Sequence, residues 1–278
     1  MMKNFYLTMC VLFLLTNFCG AQQLMKTTEQ SSSLEQPQPF LYTINTLNPS
    51  GRNWSVNYSG GYGEHTVTPI GFDGVDQNIS VKGYLGQKFT FLATLGTGFS
   101  NNGGVHTLQQ AELLRDFIGG NQPMGFRIGA GLGFRHEFNN DNVAFSRITA
   151  AYDVTSWKVG ANVRLEKAFD ARRDGLDIIT SIGLHRHISG QFFAGVEAVG
   201  QDLEGFWQSD EAEGGARLLV GPSVNYAPSG SRFAFTLCGG PIIYATRSNF
   251  AQGQFAAYRE LPANNGFTLK FNVGFRFM

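Results

Sequence analysis

The 278-residue chain carries 21 basic and 21 acidic side chains, a formal net charge of zero, so it has no broad positive field and nucleic acid is excluded as an expected partner. Its 35 glycines and 25 phenylalanines stand beside 9 prolines and a mean hydropathy of −0.12. No stretch beyond residue 21 offers the about 20 consecutive apolar residues of a spanning helix, so passage through a membrane falls to strands.

Residues 1–21 read as a secretory signal peptide. Lys3 forms a short basic start, Phe5 to Phe18 is an apolar run broken by Thr8, Thr16 and Asn17, and Cys19-Gly20-Ala21 supplies small residues before Gln22. Lipidation at Cys19 is disfavoured by the bulky Phe18 before it, so cleavage is expected after Ala21. Cys238 is then the cysteine that remains, and no intrachain disulfide can form. Residues 22–50 are rich in Gln, Ser and Thr without a period and are expected to be a flexible periplasmic N-terminal segment, with the barrel over 51–278.

From there the chain alternates apolar and polar residues, which places successive side chains on opposite faces of a strand. Trp54, Val56, Tyr58 and Tyr62 mark the first strand. Ile79, Val81, Gly83 and Leu85, a turn at Gly86-Gln87, and Phe89, Phe91, Ala93, Leu95 and Phe99 make a hairpin. Residues 108–118 are predicted as a strand that keeps the strand number even. A helix is the alternative, because Thr107 and Gln110 form a capping box and Arg115 shares a strand face with Leu113 and Phe117.

Residues 124–138 alternate most clearly. Met124, Phe126, Ile128, Ala130, Leu132 and Phe134 face one way, and Gly125, Arg127, Gly129, Gly131, Gly133, Arg135 and Glu137 the other. An arginine facing lipid at mid-depth costs about 2–4 kcal/mol, so the glycine and arginine face is assigned to the lumen. Further strands over 143–154, 157–167, 176–186, 191–200, 215–226 and 232–245 add Lys158, Arg164, Glu166, Asp177, Glu197, Arg217 and Asn225 to that inner face.

The last strand runs from Phe267 to Phe277. Phe267, Leu269, Phe271, Val273, Phe275 and Phe277 form one apolar face, with Thr268, Lys270, Asn272, Gly274 and Arg276 on the other. A chain closing on aromatics in this way resembles the Gram-negative outer-membrane β-barrels, although Met278 follows the final aromatic. The resemblance implies an all-β, transmembrane antiparallel up-and-down β-barrel of about 12 strands in the cell outer membrane. It also implies contact with the lipid bilayer and lipopolysaccharide, and with the assembly machinery that reads the closing strand. Short turns then belong to the periplasmic side, and residues 63–75, 100–107, 168–175, 201–214 and 246–265 to the extracellular side.

No motif assigns a catalytic residue. His65, His106 and His136 fall near Ser100, Asn139 and Asp141 without the spacing of a hydrolase. His185 and His187 share a strand face, but Arg186 between them disfavours a metal, and no cofactor is expected. The acidic stretch over 202–213 reads as a solvated outer loop. The candidate pore-lining set is Arg127, Arg135, Glu137, Lys158, Arg164, Glu166, Asp177, Glu197, Arg217, Lys270 and Arg276. Its positive excess predicts a passive channel for small polar or anionic solutes. A closed structural or surface-binding barrel, with opposing charges paired across the lumen, is the alternative.

Overall fold

The computed structural model describes residues 38–47, 54–101, 103–120, 124–169, 176–207, 216–245 and 264–277. The expected signal peptide, residues 208–213 of the acidic stretch and most of the loop over 246–265 lie outside the described residues.

Twelve strands follow one another: β1 Trp54–Glu64, β2 Gly74–Gly86, β3 Phe89–Ser100, β4 Val105–Ile118, β5 Gly125–His136, β6 Asn142–Asp153, β7 Trp157–Ala168, β8 Asp177–Ser189, β9 Phe192–Gln201, β10 Arg217–Tyr226, β11 Phe233–Tyr244 and β12 Gly266–Arg276. Each pairs antiparallel with its sequence neighbours. The barrel closes where β1 meets β12, in register from Ser55 opposite Arg276 to Glu64 opposite Phe267. The polar face of the closing strand is therefore a wall of the lumen, and no sheet edge is left unpaired.

The alternation decides which way each strand faces. Leu95, Leu132, Ile148 and Ile182 are more than half exposed on the outside, a surface that lipid tails solvate and water does not. Trp54, Phe117, Phe126, Trp157, Phe192 and Tyr226 sit on the outward face near the end that carries the short turns. Such a belt suits the membrane interface, where an aromatic ring has an apolar body and neighbouring polar headgroups.

The contested segment is a strand. Val105–Ile118 pairs with β3 and with β5, and Glu112, Leu114 and Asp116 turn inward. Arg115 does face outward, but it lies near the short-turn end with its guanidinium 5.1 Å from the Phe89 ring and 5.8 Å from that of Phe117. There the charge keeps headgroup contact while its stem covers aromatic surface.

The first short turn is shifted by one residue from the expected Gly86-Gln87 to Gln87-Lys88, because Gly86 already pairs with Phe89. Both turn residues have positive φ, 49° and 67°, the sign that two-residue hairpin turns of the primed types need. Lys88 Nζ donates to the Gly119 carbonyl at 2.9 Å and ties this turn to the next. Gly119 has a φ of 71°, and a Cβ there would meet the Phe126 carbonyl oxygen at 2.0 Å.

Candidate functional site

Two segments of chain lie inside the barrel against the inner wall. Residues 38–47 run inside the barrel and correct the expectation that all of 22–50 is a flexible periplasmic segment. Phe40 and Leu47 are 1 % exposed. The Leu41 and Tyr42 N–H groups both donate to Glu197 Oε2, at 2.9 and 2.8 Å. The Ile44 N–H donates to Asn162 Oδ1 at 2.7 Å, and Asn162 Nδ2 donates back to the Ile44 carbonyl at 2.8 Å. Arg127 donates to the Thr46 carbonyl, Thr46 Oγ1 donates to Asp116 Oδ1, and the Leu47 N–H donates to Thr90 Oγ1. Lys82 Nζ donates to Gln38 Oε1 and Asn45 Oδ1, both at 2.9 Å. A buried backbone away from water must find partners, and here charged and amide side chains of the wall supply them.

The signal for this segment is present in the sequence. Phe40-Leu-Tyr-Thr-Ile-Asn-Thr-Leu47 is too apolar for a solvated linker. The Gln- and Ser-rich residues before it mask the change when 22–50 is averaged as one stretch.

The long-loop end is covered separately. The β1–β2 connection folds inward, with Ile70 buried in a cluster of Ile179, Val199, Leu219, Ile242 and Tyr244. Phe72 packs on Phe138 with ring centroids 4.8 Å apart and beside His106 at 5.7 Å. Arg217 NH2 donates to the Thr68 carbonyl at 2.8 Å and fixes the loop to β10.

The wall also carries an ionic belt. Arg147 pairs with Glu112 at 2.6 Å, Arg135 and Arg164 share Glu166 at 2.8 and 2.7 Å, Arg135 also pairs with Glu137, and Arg127 meets Asp153 at 2.5 Å. Of the sequence candidates, Arg127, Arg135, Glu137, Lys158, Arg164, Glu166, Asp177, Glu197 and Arg217 are buried, while Lys270 and Arg276 are half-buried on the same inner face of β12.

The structure brings Arg135, Glu137, Arg164 and Glu166 into one network and sets Glu197, Lys270 and Arg127 against residues 38–47. Lys270 Nζ lies 5.5 Å from the Tyr42 ring centroid, and Lys158 Nζ lies 5.1 Å from that of Phe193. Arg217 sits apart from both groups, under the inward loop.

Sequence reasoning missed Asp76, Lys82, Glu112, Asp116, Arg147 and Asp153, which alternation along β2, β4 and β6 places on the inner face. More acids than bases join the set, so the expected positive excess almost disappears.

His185 lies within β8, fully buried beside Phe40. His185 Nε2 is 2.9 Å from Ser223 Oγ, which in turn donates to Glu197 Oε1 at 2.6 Å. With its proton committed to Glu197, Ser223 can only accept from the histidine. That is the reverse of an activated serine, where histidine takes the hydroxyl proton. No group of potential metal-binding side chains occurs among the described residues.

No protein-family model matches the sequence, and comparison with curated proteins gives no significant match. Solved structures do match in fold. The KdgM porin, solved in complex with disordered oligogalacturonate, is 10% identical with a TM-score of 0.51, over 81% of this chain and 99% of that one. The NanC porin is 12% identical with a TM-score of 0.53, over 80% and 100%. An outer-membrane channel from Pseudomonas putida F1 is 9% identical with a TM-score of 0.54, over 90% and 100%. By fold the chain is a closed 12-stranded antiparallel β-barrel, the architecture it shares with these outer-membrane barrels.

Proposed function

We propose that the chain is a gated outer-membrane channel for small polar solutes, closed in this state by residues 38–47 and by the inward β1–β2 loop. One observation carries the proposal: a separate strip of chain, held largely by hydrogen bonds to wall side chains, occupies the passage. A barrel built only to be solid would fill its interior with its own large side chains. This wall instead presents Gly129, Gly131, Gly133, Gly160, Gly183 and Gly221 on its inner face, which leaves room that residues 38–47 and the paired ions take up. Because acids and bases on the wall nearly balance, the passage favours polar solutes generally over anions alone. Residues 1–21 would direct export, and lipopolysaccharide at the long-loop end and the assembly machinery at β12 complete the proposed partners.

The occupied lumen also favours a second reading, a permanently closed barrel that binds surface partners through its loops. Planar-bilayer conductance separates the two. The intact chain is expected to stay closed for most of a recording. A full-length variant with Phe40→Ala, Ile44→Pro, Ile70→Asp and Phe72→Ser, which frees both obstructions, is expected to give steady current. A variant that still migrates as a heat-modifiable barrel yet passes no current in any salt would overturn the channel proposal.

A further inference from the structure

The wall treats residues 40–47 as a polyamide more than as a set of side chains. Glu197 accepts from two successive backbone amides, Leu41 and Tyr42, and Asn162 matches both the N–H and the carbonyl of Ile44. Arg127 and Thr90 serve the Thr46 carbonyl and the Leu47 N–H. These bonds go to main-chain atoms and so are indifferent to which side chains the occupant carries.

One side-chain pocket adds selectivity. Gly160 of β7 and Gly183 of β8 are register partners, and the Phe40 ring lies in the dent between them, its centroid 4.5 Å from that of His185. A Cβ at Gly183 would lie 2.4 Å from Phe40 Cδ1, and one at Gly160 3.1 Å from Phe40 Cε2. A glycine pair in strand register thus provides the space for an aromatic ring.

We propose that the lumen is a binding site for extended peptides anchored by one aromatic residue, and that residues 40–47 are its resident occupant. The proposal deepens the channel reading, from which it takes the premise that this segment leaves the lumen. When it leaves, Glu197 and Asn162 lose partners in a site where unpaired polar groups are costly. An incoming peptide restores them, because its N–H and C=O groups recur at the spacing that Asn162 already matches. An amide chain also carries no net backbone charge, as suits a wall whose charges nearly cancel. Carbohydrate hydroxyls can also donate and accept, but they do not repeat at the fixed spacing of successive peptide N–H and C=O groups that Glu197 and Asn162 meet here.

Binding is tested on the full-length chain carrying Phe40→Ala and Ile44→Pro, purified in detergent and checked for heat-modifiable migration. The probe is a fluorescent synthetic peptide with the sequence of residues 38–47. Saturable binding is expected, and exchanging the side chains at peptide positions 41 and 44 should change affinity by less than about threefold. Methylating the amide nitrogens of Tyr42 and Ile44 in the peptide should weaken binding about tenfold or more, since each methyl removes a donor to a buried acceptor. Replacing the peptide's Phe40 by Ala should also weaken it. Adding Gly183→Val to the barrel should abolish binding while the heat shift persists.

Equal binding of methylated and unmethylated peptide would overturn the proposal. So would an absence of saturable binding, or saturable binding of an acidic oligosaccharide in place of the peptide. Peptide binding with no conductance in the four-residue variant would remove the channel reading alone. Conductance without peptide binding would remove this one alone.

Discussion

Arg147 of β6 reaches over the intervening strand β5 to Glu112 of β4, with Nε 2.6 Å from Oε1 and NH2 3.1 Å from Oε2. The crossing is possible because β5 presents Gly131 opposite Arg147 and Gly133 opposite Glu112. A Cβ at Gly131 would meet the Leu113 carbonyl oxygen at 2.4 Å and Leu114 Cδ2 at 2.6 Å. Arg147 is also the register partner of Arg164, a like-charge pair that Glu112 on one side and Glu166 on the other make tolerable.

Glu112→Ala should therefore destabilise the barrel by about 3–5 kcal/mol, the cost of leaving a buried guanidinium without its acid. The double variant Glu112→Leu with Arg147→Met should recover most of that loss, because both charges leave the low-dielectric interior together. Urea unfolding in lipid vesicles measures both. If the effects of Glu112→Leu and Arg147→Met, each measured alone, simply add to that of the double variant, the pair does not act as a unit.

The outward face of β4 gives a depth test within one strand. Arg115→Ala should cost only about 0.5–1 kcal/mol, the worth of an interfacial cation over the Phe89 and Phe117 rings. Ala111→Arg on the same face, four residues nearer mid-strand, should cost about 2–4 kcal/mol. Equal effects at the two positions in vesicle unfolding would contradict the assigned membrane depth.

The parts of the fold that were legible in the sequence are those governed by period two. Alternation along 124–138 and 267–277 separates lipid from lumen residue by residue, because lipid tolerates neither a charge at mid-depth nor an unpaired backbone group. The alternation along β4 is equally regular, but Arg115 obscures it, since sequence carries no direct measure of depth. Alternation places Glu112 and Arg147 on the inner face as well, but it does not announce their bond, which crosses a third strand above Gly131 and Gly133. The apolar run over 40–47 marks that segment as unlike a solvated linker, but each of its bonds to the wall closes a loop of at least 37 residues, so the local pattern does not say where the segment binds.

Cys238 offers a chemical probe of the lower obstruction. It is 1 % exposed on the inner face of β11, and its register partner Lys270 lies under the Tyr42 ring. A small maleimide should not label Cys238 while the chain is intact and folded. Phe40→Ala with Ile44→Pro should raise the labelling rate by about tenfold or more, as expected if the loss of one hydrogen bond and one buried ring frees the segment. Unchanged labelling in a heat-modifiable variant would mean that residues 38–47 do not shield this side of the lumen.

Ile70 tests the upper obstruction independently of the barrel. Its side chain is fully buried against Ile179, Val199, Leu219, Ile242 and Tyr244, so Ile70→Ala removes about 2–5 kcal/mol of packing. That loss falls on loop docking, because residues 65–73 lie outside the strand pairing that closes the barrel. A weakened local contact raises the population of the locally open state without a matching change in global unfolding. Proteinase K should therefore cut within 65–73 about 30-fold faster or more in the purified variant, the smaller end of that energy range converted to a population ratio. The temperature of the gel-mobility shift should hardly move. A large fall in that temperature, with cleavage no faster than in the parent chain, would show that the Ile70 cluster instead holds the strands together.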